Sequence, residues 1–329
     1  MHLESLYEGN NYPGDNGSSP EAPPPWMDME KFKRGQRFFL DHVSSITLSM
    51  FCSLLSGLSI VNLLEPLVFT RKSDTPAKSM ARYDSTFRHL VLWAMGDPWD
   101  VNDSAHKSLM MVRKMHSSIG ESMTKRLGDK QYISQCDMGL VQSGFMGAVV
   151  MYYDKYIGQC TKEDLEDYVF YWRGIGYLLG IDDQYNICSN GLEESTAICK
   201  EIERKLLLPA LENPPKDFQK MLDAYITGNN LIPGFQFISE RGTMAFIYAV
   251  MGVECPYILS WPDTFRCWFF KLFMFHLRWC PGFATFLNGK IIKFAPLKTK
   301  VDEDGKWLNV PDFKALQEKY YKKQGIKAA

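Results

Sequence analysis

The sequence predicts an all-α fold, arranged as a single multi-helix domain. Two observations lead there. From Lys31 onward apolar residues recur at three- and four-residue steps almost everywhere, and strand-like alternation is confined to a short piece, Ile291 to Phe294. A third supports them: Val43 to Leu64 carries no charge, but Ser44, Ser45, Thr47, Ser49, Ser53, Ser56, Ser59 and Asn62 interrupt it and Glu65 closes it. That run reads as a helix buried in protein better than as a lipid-facing span. With 46% hydrophobic and 23% charged residues in 329, the chain can build a sizeable core.

Residues 1 to 25 contain Gly-Asn-Asn, Asn-Gly-Ser-Ser and Pro-Pro-Pro, a composition that buries little and predicts a flexible segment. It has no apolar stretch of signal-peptide type, so an intracellular protein is expected, in the cytoplasm or on the endoplasmic reticulum membrane surface. The triplets at Asn16 and Asn102 then read as chance matches to a glycosylation motif. The helical domain is expected over 26 to 298. Ala77 to Ala94 forms a helix that stops at Gly96-Asp97-Pro98, with Met80, Tyr83, Phe87, Leu90 and Ala94 as its core stripe. Arg82 and Thr86, four residues apart, share a neighbouring face.

Asp103 to Gly128 is next, with Leu109, Val112, Ile119 and Met123 as its buried stripe. Cys136 to Tyr153 carries Gly139, Gly144, Gly147 and Ala148, which permit close approach of another helix or of a flat ligand. Thr161, Glu163 and Asp164 start a further helix that ends at Gly180. Helices follow at Leu192 to Leu211, Lys216 to Ile226, Phe235 to Met251 and Asp263 to Trp279. The last is dense in aromatics and interleaved with Arg266, Lys271 and Arg278; it suits either a core helix with snorkelling cations or peripheral contact with a membrane surface through residues 263–280. Residues 299 to 329 are charged and expected to be peripheral.

Composition and motifs exclude several function classes. A net charge of −1 offers no basic field for nucleic acid. The eight cysteines include no Cys-x-x-Cys pair, which speaks against a zinc ribbon, a thioredoxin-like site or a disulfide framework and fits a reducing environment. Glu-x-x-His, His-Glu-x-x-His, the P-loop, Gly-x-Ser-x-Gly and Cys-x-x-Cys-His are absent. Cys280, spaced after Phe273 and Arg278 in partial likeness to a cytochrome P450 cysteine loop, has His276 where glycine is required and reads as a structural thiol.

His116 is the anomaly, because it falls on the buried stripe of its helix. A core imidazole has to be hydrogen-bonded or metal-bound. The blocks Val112-Arg113-Lys114-Met115-His116, Ile133 to Met138 and Tyr171 to Asp182, together with Lys31 to Phe39 at the entry, resemble in sequence and order the latex clearing protein (rubber oxygenase) and MpaB-type ER-bound oxygenase family. The resemblance covers roughly Pro25 to Leu211. It implies a haem b-dependent oxygenase that uses dioxygen on an apolar, isoprenoid or lipid-like substrate, cleaving a C=C bond to carbonyl products. It makes His116 the proximal ligand of the haem iron in a buried haem pocket and places Arg82 and Thr86 on the distal side, with Glu65 as a carboxylate base.

Read singly, Arg82 is equally a surface salt-bridge arginine, Thr86 a back-bonding threonine and Glu65 a helix-end charge. Two positions depart from the family. Ser85 stands where rubber-cleaving members have lysine, so a lysine-closed resting state is not expected, and Gly120 replaces an arginine that would reach a propionate. The helix around Met50 to Leu64 and the face at Gly144 and Gly147 are expected as walls of the haem pocket. The competing class is a non-enzymatic helical lipid-binding or membrane-surface protein that keeps the fold without haem.

Overall fold

Local signals in the sequence explain most helix boundaries. A computed structural model describes residues 2–18, 22–302 and 306–326. Its helices are α1 (Leu3–Tyr7), α2 (Met29–Asp41), α3 (Val43–Gly57), α4 (Val61–Thr70), α5 (Pro76–Met95), α6 (Ser104–Leu127), α7 (Gln135–Met151), α8 (Tyr153–Tyr156), α9 (Lys162–Leu178), α10 (Gly191–Ile202), α11 (Leu208–Glu212), α12 (Phe218–Asn230), α13 (Glu240–Met251), α14 (Trp261–Trp279), α15 (Pro281–Lys298) and α16 (Phe313–Gln324). The protein is all-α: no β-strand occurs among the described residues, and only two isolated bridges do. Asp103 caps α6 at its start, and Gly128 ends it with a left-handed φ of 71°. Thr161 and Asp164 form the reciprocal capping box of α9.

The core is built by close helix pairs. Gly35 of α2 lies against the Asp167 carbonyl and the Tyr171 side chain of α9, so any Cβ there would collide, and Arg34 seals the pair with two hydrogen bonds to Asp167 at 2.6 and 3.1 Å. Phe32, Phe39, Tyr168 and Tyr171 are buried at this contact. α5 and α6 pack against one another, and Leu109, Val112 and Met123 of α6 are buried as the periodicity predicts, whereas Ile119 and His116 on the same stripe are half-buried. All eight cysteines are free thiols.

Several expectations are corrected. The uncharged run from Val43 to Leu64 is two helices, α3 and α4. Ser56 and Ser59 turn their hydroxyls back onto the carbonyls of Cys52 and Ser56, which satisfies backbone acceptors at the break. Ile291 to Phe294 is helical within α15, since four residues of apolar character do not define a strand. The segment Leu192 to Leu211 is not one regular helix, because Glu203–Leu207 adopts a π turn.

Both chain ends also pack more tightly than their composition suggests. Leu3 and Leu6 are buried, with Leu6 filling the space left by Gly139 of α7, and Asp15 accepts a 2.9 Å hydrogen bond from the buried Arg113. At the other end Phe313 and Tyr320 are buried and Gln317 Oε1 accepts from the Ala77 backbone N–H at 2.7 Å, so the charged tail covers α5. Residues 1, 19–21, 303–305 and 327–329 lie outside the described residues. No single helix among those described is long and apolar enough to cross a membrane.

Candidate active site

α5 presents Arg82, Thr86, His89 and Trp93 at steps of four, three and four residues, which places them along one face of the helix. α6 faces it with His116 and Ser108. The His116 ring is partly accessible at its edge, but its Nδ1 is buried with no hydrogen-bond partner. Burial, and then the neighbouring Arg82 charge, push its pKa down to about 4, so the imidazole is neutral near pH 7. An unpaired nitrogen of this kind is costly unless something else in the space binds it.

Arg82 is the second oddity. Burial lowers its pKa, and it donates from Nη1 to Thr70 Oγ1 at 3.3 Å, a long bond to a hydroxyl that itself donates to the Pro66 carbonyl. Arg82 has no carboxylate partner among the described residues. A half-buried guanidinium without a counter-charge suits an anion. Thr86 Oγ1 donates back to the Arg82 carbonyl at 3.1 Å, so its proton is engaged with the backbone and its lone pairs remain free to accept.

Glu65 stands apart. Its Oε2 pairs with Lys130 Nζ at 2.7 Å, its side chain is 37% exposed, and Lys130 also reaches Asn62, which bonds Asp137 at the start of α7. The apolar surroundings expected for a carboxylate base are therefore not those of Glu65. Gly144 and Gly147 are also apart from His116. Gly147 is packed on Cys199, and Gly144 opens onto a different crevice. Of the expected wall around Met50 to Leu64, Cys52, Ser53, Ser56, Gly57, Ile60 and Leu63 line that same crevice.

The departures from the family pattern have structural causes. A Cβ at Gly120 would lie 2.7 Å from the Tyr132 carbonyl oxygen, so the crossing of chain 132–133 excludes an arginine there. Ser85 Oγ accepts a 2.8 Å hydrogen bond from the indole of Trp307, and Trp307 also meets the His89 ring edge-on at 4.7 Å between centroids. The C-terminal tail thus fills the place beside Thr86 at Ser85.

His89 was not expected in the site. Its Nδ1 lies 2.7 Å from Ser108 Oγ, which accepts from Trp93 Nε1 at 2.9 Å, and burial together with His116 holds its pKa at about 4. The signal was available: His89 is seven residues from Arg82 and three from Thr86, on the same helical face. A separate cavity of about 230 Å³, lined by Phe87, Arg88, Val91 and residues of α15, lies on the opposite face of α5 by helical spacing.

A family model described as ER-bound oxygenase mpaB/B′/rubber oxygenase, catalytic domain, matches residues 42–228, which include His116, Arg82, Thr86 and Glu65. A solved structure titled "Structure of Latex Clearing Protein LCP in the closed state" aligns with a TM-score of 0.52 and 15% identity, covering 94% of this chain and 77% of that one. At that identity the likeness shows a shared fold. A search of curated proteins returned no match. The extent of the family match, more than half of the chain, and the common all-α architecture agree: this chain belongs to the ER-bound oxygenase mpaB/B′/rubber oxygenase family.

Proposed function

We propose that the protein is a haem b-dependent oxygenase that attacks a C=C bond of an isoprenoid or lipid-like chain. One observation carries the reading: a neutral imidazole with an unpartnered buried nitrogen shares its interior with a guanidinium that lacks a counter-charge. Haem suits both, since its iron takes a single imidazole and its propionate carboxylates are anionic.

When bound, haem supplies an iron centre that activates dioxygen. His116 would hold it, offering a nitrogen for which no proton competes near pH 7. Arg82 keeps a positive charge in a poorly solvated space, where it stabilises negative charge developing on oxygen. Thr86, with its proton engaged by the helix backbone, accepts a hydrogen bond from a neighbouring group. The Trp93–Ser108–His89 chain fixes the His89 ring beside them. Glu65, paired with Lys130, takes no part. The test is oxygen-dependent formation of carbonyl products from a polyisoprenoid by the haem-loaded protein. Protein that takes up haem and makes no oxygenated product, or that takes up lipid and no haem, supports the non-enzymatic lipid-binding alternative instead.

Access to an apolar substrate points to a membrane surface. α14 buries Cys267, Phe270 and Leu277 and exposes Trp261 at 90%, Phe265 at 64% and Trp268 at 55%, continuing through Phe275 and Trp279. Phe286 and Phe294 of α15 and the exposed Lys271, Lys290 and Lys293 lie on the same hairpin. Aromatic rings with flanking cations are the composition of an interfacial anchor. Full-length protein is expected to float with vesicles containing anionic phospholipid, and the triple variant W261S/F265S/W268S to remain largely in the soluble fraction. Equal flotation of both would remove α14 from this role.

A further inference from the structure

A second site lies away from His116, in the crevice between α3, α7 and α13. Its cavity of about 90 Å³ is lined by Gly57, Leu63, Gly144, Ile247 and Met251 among other apolar groups, with Ser56 and Ser143 at its walls. Gly144 makes room for it, since a Cβ there would meet nothing within 4 Å. One polar pair interrupts the lining. Tyr152 donates its hydroxyl to Glu203 Oε1 at 2.7 Å, while Glu203 Oε2 has no partner among the described residues. Glu203 opens the π turn Glu203–Leu207, and Glu203 and Leu207 both line the crevice. A π turn inside a helical segment recurs at functional positions.

We infer that this crevice binds the hydroxyl-bearing end of an aliphatic chain, with the alcohol donating to the free oxygen of Glu203 and the chain lying along the apolar wall. The charge pattern selects this occupant. An anionic headgroup would face the Glu203 carboxylate. The pull of that carboxylate on a cation is already offset by Lys155, whose Nζ lies 4.9 Å over the Tyr152 ring and donates to the Val250 carbonyl, and by Lys200; both charges act on Glu203 from outside the lining. A neutral donor meets neither obstacle. Tyr152 is kept protonated by burial and by Glu203, so it stays a donor and leaves the carboxylate as the acceptor. Leu63 belongs to α4, the helix whose Thr70 bonds Arg82, so the crevice and the His116 site share a wall. Binding itself requires no haem; that the bound chain is the oxygenase substrate rests on the reading above.

The test compares 1-decanol, decyl methyl ether and decanoate binding to full-length apo-protein by calorimetry at pH 7. Decanol is expected to bind roughly tenfold or more tightly than the ether, which lacks the donor, and more tightly than decanoate. Glu203→Ala should erase the preference for alcohol over ether. Gly144→Leu should weaken decanol binding at least tenfold with an unchanged or raised melting temperature, because it fills open space and favours the helix. Equal binding of alcohol and ether by the wild type overturns the assignment, as does undiminished binding by folded Gly144→Leu. Should Gly144→Leu fail to fold, the ligand comparison on wild type and Glu203→Ala decides alone. A His116→Ala protein that loses haem and still prefers decanol separates failure of the oxygenase reading from failure of this one.

Discussion

His116→Ala is expected to abolish the Soret band of the haem-supplemented protein while leaving its helical circular dichroism and cooperative unfolding in place. The fold tolerates the change for a specific reason. The imidazole makes no hydrogen bond through its buried Nδ1, so alanine removes an unsatisfied polar atom together with its packing, and the two effects oppose each other. The rest of the α6 stripe, Leu109, Val112 and Met123, is untouched. The truncation leaves a space shaped for imidazole, and millimolar imidazole should restore much of the band. An unchanged spectrum in His116→Ala would place the ligand elsewhere. Loss of the band together with loss of folding would mean a structural role, and the imidazole rescue separates the two.

The helices and their limits were legible because the information is local. Asp103 and Gly128, Thr161 with Asp164, and Gly96 before Pro98 each act within a few residues of the boundary they set. His116 was legible for the same reason, being a polar residue at a position where the stripe demands an apolar one. The failures are contacts between residues far apart in sequence. Nothing near Glu65 announces Lys130, sixty-five residues on, which turns an expected buried base into a half-exposed ion pair. Nothing in the polar N-terminus announces that Leu6 fills the notch of Gly139 or that Arg113 requires Asp15.

The packing of the C-terminal tail was hidden in the same way. A few apolar residues among many charges, Trp307, Phe313 and Tyr320, are enough to pin it across α5. The identity of Gly120 was noticed as a departure, but its cause, the passage of the Tyr132 carbonyl, is a tertiary contact. His89 is the exception. Helical spacing alone puts it beside Arg82 and Thr86.

Arg82→Met should lower the oxygenation rate by about two to three orders of magnitude and leave haem uptake intact. Methionine keeps most of the length of the arginine stem and removes the charge. That charge is hydrogen-bonded to Thr70, has no carboxylate to neutralise it, and is half-buried, so its field reaches the space beside His116. A partly desolvated cation with no carboxylate partner costs stability, and the variant should therefore melt no lower than the wild type. The loss should fall on kcat, because a charge that answers oxygen charge developing in the reaction contributes little to holding an apolar substrate. Arg82→Lys, which restores the charge without the planar fork, should recover part of the rate. A second readout is independent of activity. Arg82 and burial together hold the His116 pKa at about 4; removing the charge leaves burial alone, so in the apo-protein the imidazole should titrate at a higher pH, still below the ordinary 6.5. A rate within threefold of wild type, or a His116 titration that does not move, would show that the guanidinium only packs.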